Sequence, residues 1–268
     1  MLGPRRDVRL GRHLRALATQ VRSKGVAGVS TRSRIKLEGE IWRSRKVSCL
    51  IATEMPEICW VMSDAERLSN KTLDDREGAV RPATFGDVEQ IAILADEAGG
   101  DTLSFILRGI DPNAQVLCTY RYMVSVPSGI FSFANCLVAV SNGVAVGMAN
   151  AFPARLIAEE LEGVALTERE QLLRPRIELN DPASFLLNNI AVSATHRRRG
   201  VGTGLLGAVI ESARDDGFTS LTLHVWADNA GAIAFYRKAG FELDRHADIL
   251  THPDLLHIGG SYLMRRSL

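Results

Sequence analysis

The segment that most restricts the possible folds is a strand-like run followed by a basic, glycine-rich loop and an amphipathic helix. The apolar run Phe185–Val192 predicts a buried strand, and residues 195–204 then read Thr-His-Arg-Arg-Arg-Gly-Val-Gly-Thr-Gly. From residue 201 apolar residues recur at helical spacing until Asp215-Asp216-Gly217 ends the run. Small residues in the first turn of a helix leave its free N–H groups accessible at the positive end of the helix dipole. We therefore expect an anion, and a pyrophosphate in particular, at this loop.

Two phosphate-binding motifs overlap within the loop. Gly202-x-Gly204-x-x-Gly207 satisfies the dinucleotide fingerprint, while Arg197-x-x-Gly200-x-Gly202 is a different, basic-led pattern. The dinucleotide glycines normally follow the first strand of their domain directly. Here residues 193–199 separate the strand from the first glycine, and the motif lies late in the chain. No Gly-Lys-Ser/Thr follows, which excludes a P-loop. The context therefore favours the basic-led pattern.

The chain around this loop alternates strand and helix patterns. Asn142-Gly143 predicts a tight hairpin between two apolar strands, and Thr84-x-x-Asp87 and Thr167-x-x-Glu170 are capping-box starts of helices. We expect Gly99-Gly100 to stop the first helix. Strands are predicted at 79–83, 135–140, 144–149, 185–192, 221–226, 241–245 and 261–265, with helices at 84–98, 103–122 (interrupted at Asp111-Pro112), 201–216 and 229–239. This order indicates an α/β (α+β) domain with a mixed sheet over residues 79–268.

The charge is distributed unevenly along the chain. Residues 1–61 carry a net charge of +8, and residues 62–268 carry −7. The basic head has little core pattern, so we predict that 1–78 is an N-terminal extension, disordered or dispensable; a transit-peptide-like or surface-binding helix is the alternative. The acidic body argues against a nucleic-acid partner.

Two further properties bear on location. No uninterrupted apolar run reaches the roughly 20 residues that a membrane-spanning helix needs, so we expect no membrane association. The four cysteines show no Cys-x-x-Cys spacing. Together with the missing apolar signal segment, this predicts reduced thiols and a cytoplasmic protein.

Three blocks of sequence carry a family resemblance. They are Leu187-Asn188-Asn189-Ile190-Ala191-Val192, then Arg197-x-x-Gly200-x-Gly202, then Asp228-Asn229-x4-Ile233-x2-Tyr236-x3-Gly240-Phe241. In order and spacing they resemble the GNAT superfamily of N-acetyltransferases, and the resemblance extends from about Ala79 to the C-terminus. It implies a central mixed, mostly antiparallel β-sheet flanked by helices. It also implies acetyl-CoA as co-substrate.

The resemblance assigns expected roles to individual residues. The loop amides would bind the CoA pyrophosphate, the end of the preceding strand would pair with the pantetheine arm and supply an amide for the thioester oxygen, and the residue that caps the next helix would add a contact. The implied acetyl-CoA-binding residues are Ile190, Ala191, Val192, Arg197, Arg198, Arg199, Gly200, Val201, Gly202, Thr203 and Asn229. Asn229 is equally expected as an N-cap.

The resemblance also implies that Tyr236 is the general acid, because a phenol stays protonated at neutral pH and can donate to a leaving thiolate. A core aromatic is the competing interpretation of Tyr236. The general base stays open among His224, Glu178, Asp181, His246 and water. His246, His252 and His257 fit no ligand spacing, so we expect no metal.

We therefore expect an N-acetyltransferase that moves an acetyl group from acetyl-CoA to a primary amine by direct attack on the thioester. The acceptor would be a small molecule, an amino acid derivative or a protein lysine. The alternative is a non-catalytic acyl-CoA sensor. The sequence predicts neither the acceptor nor the oligomeric state.

Overall fold

A seven-stranded β-sheet runs through the computed structural model, which describes residues 79–268. The predicted extension 1–78 lies outside the described residues. The strands are β1 (Ala79–Pro82), β2 (Cys136–Ser141), β3 (Val144–Pro153), β4 (Phe185–Val192), β5 (Ser220–Trp226), β6 (Glu242–Ala247) and β7 (Ser261–Ser267). The helices are α1 (Val88–Arg108), α2 (Val116–Ser125), α3 (Arg155–Leu161), α4 (Glu168–Glu178), α5 (Val201–Asp215) and α6 (Ala230–Lys238).

The strands lie in the order β1-β2-β3-β4-β5-β7-β6. Neighbours are antiparallel except β4 and β5, which are parallel, so the predicted mixed and mostly antiparallel sheet is confirmed. β2 and β3 form the predicted hairpin. Its turn residues Asn142 and Gly143 have φ of 51° and 75°, the left-handed pair that a two-residue turn of this kind requires.

Helices cover both faces of the sheet because successive strand residues point to opposite sides. In β2, Val138 and Val140 pack with α1 and α2, whereas Ala139 packs with α5. The face under α5 and α6 carries the larger cluster, which includes Leu205, Leu206, Val209, Leu221, Leu223, Tyr236 and Phe241. The sheet is therefore the middle of three layers.

The prediction for the first helix was wrong in one respect. Gly99 and Gly100 do not stop it, because α1 continues to Arg108. Apolar residues on both sides of the glycine pair anchor the helix: Leu94 and Ala95 before it, and Phe105 after it, are buried. Burial of those side chains outweighs the cost of about 1 kcal/mol that each glycine imposes on a helix. The interruption predicted at Asp111-Pro112 is confirmed, because residues 109–115 separate α1 from α2.

Two helices, α3 and α4, occupy the polar interval between β3 and β4. The predicted capping box of α4 is present, with the Thr167 side chain and Glu170 exchanging bonds with each other's backbone N–H. Leu173 of α4 packs with Phe105 and Trp226, and the Arg176 guanidinium lies 4.6 Å from the centre of the Trp226 ring. The connection between β3 and β4 thus reaches the far end of β5.

Candidate active site

The sheet opens between its two central parallel strands. β4 and β5 pair only where Phe185–Leu187 face Leu221–Leu223. Beyond that point β4 continues to Val192 and β5 to Trp226, but the two strands do not pair with each other. On the other side of β4 the register with β3 shifts between Asn150 and Ala151, which leaves an extra residue in β4. Such a bulge bends its strand, so we attribute the split between β4 and β5 to it.

The ladder between β3 and β4 determines which backbone groups of β4 face the split. The Ser193 N–H donates to the Val146 carbonyl at 2.9 Å, and bonded pairs alternate along an antiparallel ladder. The backbone groups of Ala191 therefore pair with β3, while those of Ile190 and Val192 face the split. The Val192 carbonyl accepts a bond from Arg197 Nε at 2.9 Å. Within the described part of the chain, the Ile190 N–H and carbonyl and the Val192 N–H remain available to a ligand lying along the strand.

The basic glycine-rich loop lies at the end of β4 and has the geometry of an anion site. Arg198 and Gly200 both have left-handed backbone, with φ of 60° and 86°. The N-cap of α5 is Gly200, which has no side chain. The Gly204 N–H is the first amide of the helix that donates to the Gly200 carbonyl. The three preceding amides, of Val201, Gly202 and Thr203, therefore have no partner within residues 79–268. Successive N–H groups in such a turn form a concave anion-binding nest.

The space around the loop glycines is consistent with a ligand at this turn. A Cβ built on Gly200 would meet no atom of residues 79–268 within 4 Å. One on Gly202 would lie 3.7 Å from Val192 Cγ2 and 3.8 Å from Phe235 Cζ. The end of β4, the first turn of α5 and α6 thus converge on the loop. The open cradle and its free amides fit a pyrophosphate, while Arg198 and Arg199 are exposed beside it.

Arg197 is engaged differently from the other two arginines. Its Nε donates to the Val192 carbonyl, and its Nη2 lies 3.8 Å from Glu97 Oε2 of α1. The side chain is 58% exposed, so the ion pair contributes little. In this structure Arg197 ties the loop to the end of β4.

The two remaining predicted residues are the N-cap of α6 and a residue within that helix. Asn229 accepts a bond from the Ala232 N–H at 3.0 Å, which confirms its predicted role as N-cap. The Tyr236 ring is buried between Phe235 and Phe241, at centroid distances of 5.2 and 5.7 Å. Burial raises the pKa of Tyr236 to about 12, so its hydroxyl stays protonated at neutral pH.

The Tyr236 hydroxyl is available for proton transfer. It makes no hydrogen bond with another residue in the described part of the chain, where Asn180 Oδ1 is the one fully enclosed side-chain atom without a partner. The hydroxyl is therefore not fully enclosed, although the Tyr236 residue as a whole is only 9% exposed. Tyr236 is both a core aromatic and a potential proton donor.

Each of the four candidate bases is engaged by another group of the chain. His224 Nε2 is bonded to the Leu179 carbonyl, and burial together with Arg176 lowers the pKa of His224 to about 3. Although burial acts to raise it, the hydrogen bond from Arg265 holds the pKa of Asp181 below its usual range. Glu178 is paired with Arg174 at 2.7 Å, and His246 Nε2 lies 2.9 Å from the Gly259 carbonyl.

The helix α1 passes over both sides of the split. It therefore brings to the site residues that the sequence did not indicate. A Cβ on Gly99 would lie 3.5 Å from both Asn189 Nδ2 of β4 and the Tyr120 hydroxyl. Further along α1, Thr102 Oγ1 accepts a bond from Trp226 Nε1 of β5 at 3.2 Å. No local pattern marks these residues, since their proximity depends on the path of α1 across the sheet.

A second missed group lies at the end of β5. His257, in the β6–β7 loop, stacks on the Trp226 ring with centroids 4.6 Å apart and planes at 10°. Its Nδ1 lies 3.1 Å from Asp228 Oδ1. The one sequence signal for this pair was the position of Asp228 between a predicted strand and the N-cap of α6. His246, His252 and His257 have separate partners, and within residues 79–268 no three His, Cys, Asp or Glu side chains converge on a common point.

The comparisons with known proteins agree with this architecture. Residues 125–241 match the model of the acetyltransferase (GNAT) family. This matched segment belongs to the GNAT family. An acetyltransferase of known crystal structure superimposes with a TM-score of 0.52 at 24% identity, covering 70% of this chain and 98% of that one, and supports the fold.

Curated relatives match over short segments. Probable N-acetyltransferase san of Drosophila melanogaster is 47% identical over 49 residues, 18% of this chain and 27% of that protein. The [ribosomal protein bS18]-alanine N-acetyltransferase of Escherichia coli K12 is 44% identical over 55 residues, 20% of this chain and 37% of the relative. The chain thus matches well under half the length of these relatives. Among the helices of residues 79–268, none combines the length and apolarity needed to cross a membrane.

Proposed function

We propose that this GNAT domain is an N-acetyltransferase that uses acetyl-CoA and acetylates a primary amine. The acceptor is a small molecule, an amino acid derivative or a protein lysine. The observation that carries the proposal is the split between β4 and β5, which has an anion-binding loop at the end of β4 and a protonated tyrosine on the adjacent helix. Family membership supports the same reaction class.

The residues of the split fit the parts of acetyl-CoA in order. The free amides of Val201, Gly202 and Thr203, in the nest formed with Arg198 and Gly200, would hold the pyrophosphate. Arg199 is exposed beside it as a further cation. The backbone groups of Ile190 and Val192 would pair with the amides of the pantetheine arm, and Ala191 between them keeps β4 paired to β3. When bound, acetyl-CoA supplies an acetyl group activated as a thioester.

The protein groups around the split meet two requirements of acyl transfer. A backbone N–H of β4 can donate to the carbonyl oxygen as negative charge develops on it, which stabilises the transition state without reorganisation. Tyr236 can donate its proton to the departing sulfur, because its raised pKa keeps the hydroxyl protonated. The third requirement, removal of the proton from the acceptor amine, needs a base.

The names of relatives bear on the acceptor only in outline. The Escherichia coli relative is named for the alanine of a ribosomal protein, an acceptor on a protein. Since the match covers 37% of that protein, we carry over the reaction class and not the acceptor.

The proposal predicts that acetyl-CoA raises the melting temperature and that NAD does not. A ligand that binds only the native state stabilises it by RT ln(1 + [L]/Kd), about 2.7 kcal/mol at a hundredfold excess over Kd. Thermal melts with each compound measure the shift. A shift with NAD and none with CoA compounds would return the Gly202-x-Gly204-x-x-Gly207 motif to dinucleotide binding.

Turnover separates the enzyme from the alternative, an acyl-CoA sensor. The protein is incubated with acetyl-CoA and a panel of primary amines, including polyamines, amino acid amides and lysine peptides, while free thiol is followed. We expect amine-dependent thiol release with at least one member of the panel. Binding of acetyl-CoA without such release would favour the sensor.

A further inference from the structure

An Asp–His pair stands at the open end of β5. Asp228 lies two residues beyond Trp226, the last residue of the strand, and its two carboxylate oxygens have different partners. Oδ1 lies 3.1 Å from His257 Nδ1, and Oδ2 accepts a bond from the Ile258 N–H at 3.0 Å. Although burial acts to raise it, these hydrogen bonds and the interaction with His257 hold the pKa of Asp228 below its usual range. Asp228 is therefore an ionised acceptor, which favours a proton on His257 Nδ1.

The same contacts fix the His257 ring. Its face lies nearly parallel to the Trp226 indole, at 10° and 4.6 Å. Trp226 is in turn held by its Nε1 bond to Thr102 of α1 and is 7% exposed. With Nδ1 engaged by Asp228, Nε2 is the nitrogen of His257 that makes no bond within the described residues, and the side chain is 21% exposed. An oriented imidazole with one free nitrogen is the arrangement that general bases use.

The Asp228–His257 pair lies at the same height in the sheet as the Ile190 N–H, which faces the split. The last paired residues are Leu187 and Leu223. Counting on from them along the two diverging strands places Ile190 of β4 opposite Trp226 of β5. The ring stacked on Trp226 therefore lies beside the split at the height of the Ile190 N–H. The loop at the end of β4 lies further along that strand, so the acyl end of a thioester held along β4 would reach the level of Trp226 and His257.

We propose that His257 is the general base of this domain and that Asp228 is its positioning residue. The inference rests on the proposed acetyltransferase function. It is favoured over His224, whose Nε2 is bonded to the Leu179 carbonyl in the interior. It is also favoured over His246, whose Nε2 is bonded to the Gly259 carbonyl.

His257 and Tyr236 together can carry the protons that move in the reaction. His257 Nε2 takes a proton from the acceptor ammonium, and the amine nitrogen attacks the acetyl carbonyl carbon as the carbon–sulfur bond breaks. Tyr236 gives its proton to the sulfur. The second proton lost by the nitrogen as the amide forms restores the Tyr236 hydroxyl, and the proton on His257 leaves to solvent. The products are the acetylated amine, free thiol and one proton.

The test compares H257Q, D228N and a matched control, H252Q. The glutamine side chain in H257Q would keep an amide N–H for Asp228, which preserves the loop. His252 lies in the same loop and also contacts an aromatic ring, that of Phe105, but no carboxylate holds its ring. For each variant, kcat and KM are measured by thiol release with the amine identified in the panel, together with acetyl-CoA affinity and melting temperature. The tautomer of His257 is read in parallel by nitrogen-15 NMR of the wild-type and D228N proteins at a pH where the ring is neutral.

We expect H257Q to lower kcat about 10²–10⁴-fold, the range typical of general base catalysis, with acetyl-CoA affinity unchanged. D228N should lower kcat less and abolish the Nδ1–H tautomer that the wild type shows, while H252Q should stay within about twofold of wild type. Wild-type turnover in H257Q, or a proton on Nε2 in the wild type, would overturn the proposal. If no amine is acetylated, the enzyme proposal fails on that assay, and the tautomer still decides separately whether Asp228 orients His257 as inferred.

Discussion

At the scale of single residues, Tyr236 shows that a side chain can serve the core and the chemistry together. Its ring contacts Phe235 and Phe241 in the larger hydrophobic cluster, while its hydroxyl has no partner in the described structure. Tyr236→Phe therefore removes the hydroxyl and keeps the packing. If this hydroxyl protonates the leaving sulfur, turnover should fall about 10²–10⁴-fold. Acetyl-CoA affinity and melting temperature should hardly change, because the proposed binding contacts come from β4 and the loop.

The control is Tyr262→Phe, which removes a hydroxyl from the ring that contacts His246 on the outer strands. Steady-state rates, acetyl-CoA affinity and thermal melts on both variants separate the two interpretations of Tyr236. An active Tyr236→Phe enzyme would leave the fold and family intact and would assign the acid role to another group. A loss of stability with normal turnover would make Tyr236 a core residue alone.

At the scale of elements, the loop before α5 needs glycine at position 202 because a side chain there would block the approach of the phosphate. A Cβ on Gly202 meets only ordinary contacts at 3.7–4.0 Å, so Gly202→Val should fold but place its methyl groups where the phosphate approaches. We expect the acetyl-CoA melting shift to disappear. Gly207→Ala is the matched control: nothing lies within 4 Å of its Cβ, and alanine is favoured over glycine in a helix by up to about 1 kcal/mol. It should raise the melting temperature and keep the shift. Normal binding by Gly202→Val would refute the loop assignment.

Local patterns predicted most elements and the loop, since caps, the Asn142-Gly143 turn and apolar periodicity are encoded by neighbouring residues. The prediction that Gly99-Gly100 ends α1 was wrong because tertiary burial of Leu94 and Phe105 overrides a local preference. The split between β4 and β5 was not predictable from either strand, since it accompanies a register shift opposite Asn150 and Ala151. Asp228 and His257 were missed as a pair because the β6–β7 connection brings them together. The acetyl-CoA contacts and the catalytic roles stay predictions.

At the scale of the whole molecule, the two helix layers contribute different parts of the candidate site. The layer of α5 and α6 carries the anion-binding loop and Tyr236, while the layer of α1 and α2 spans the split near Asn189 and Trp226. The β3–β4 connection and the β6–β7 loop add Arg176 and His257 around Trp226. Ligand groups entering from the loop and from the α1 side would therefore meet in the split, which is the arrangement that a two-substrate transfer needs.

The proposed domain boundary gives a prediction for the whole chain. Residues 79–268 already form a continuous sheet with a core on both faces, so we expect a chain shortened to 62–268 to keep its melting temperature and its acetyl-CoA shift. Shortening it further to 83–268 removes β1, which pairs with β2 over Ala79–Pro82. It also removes Arg81, whose guanidinium binds Asp87 at 2.8 and 2.9 Å.

The second truncation should cost stability for a specific reason. Asp87 is 8% exposed. It keeps the bonds from Thr84 to Oδ2 but loses the Arg81 guanidinium from Oδ1, and a buried acceptor that loses a partner costs about 1–3 kcal/mol. In a domain of this size each kcal/mol lowers the melting temperature by roughly 2–4 °C. Thermal melts of the full chain, 62–268 and 83–268, with and without acetyl-CoA, therefore place the boundary. Loss of soluble protein already at 62–268 would show that the basic head is part of the folded unit, because removal of a dispensable extension leaves the core contacts of residues 79–268 in place.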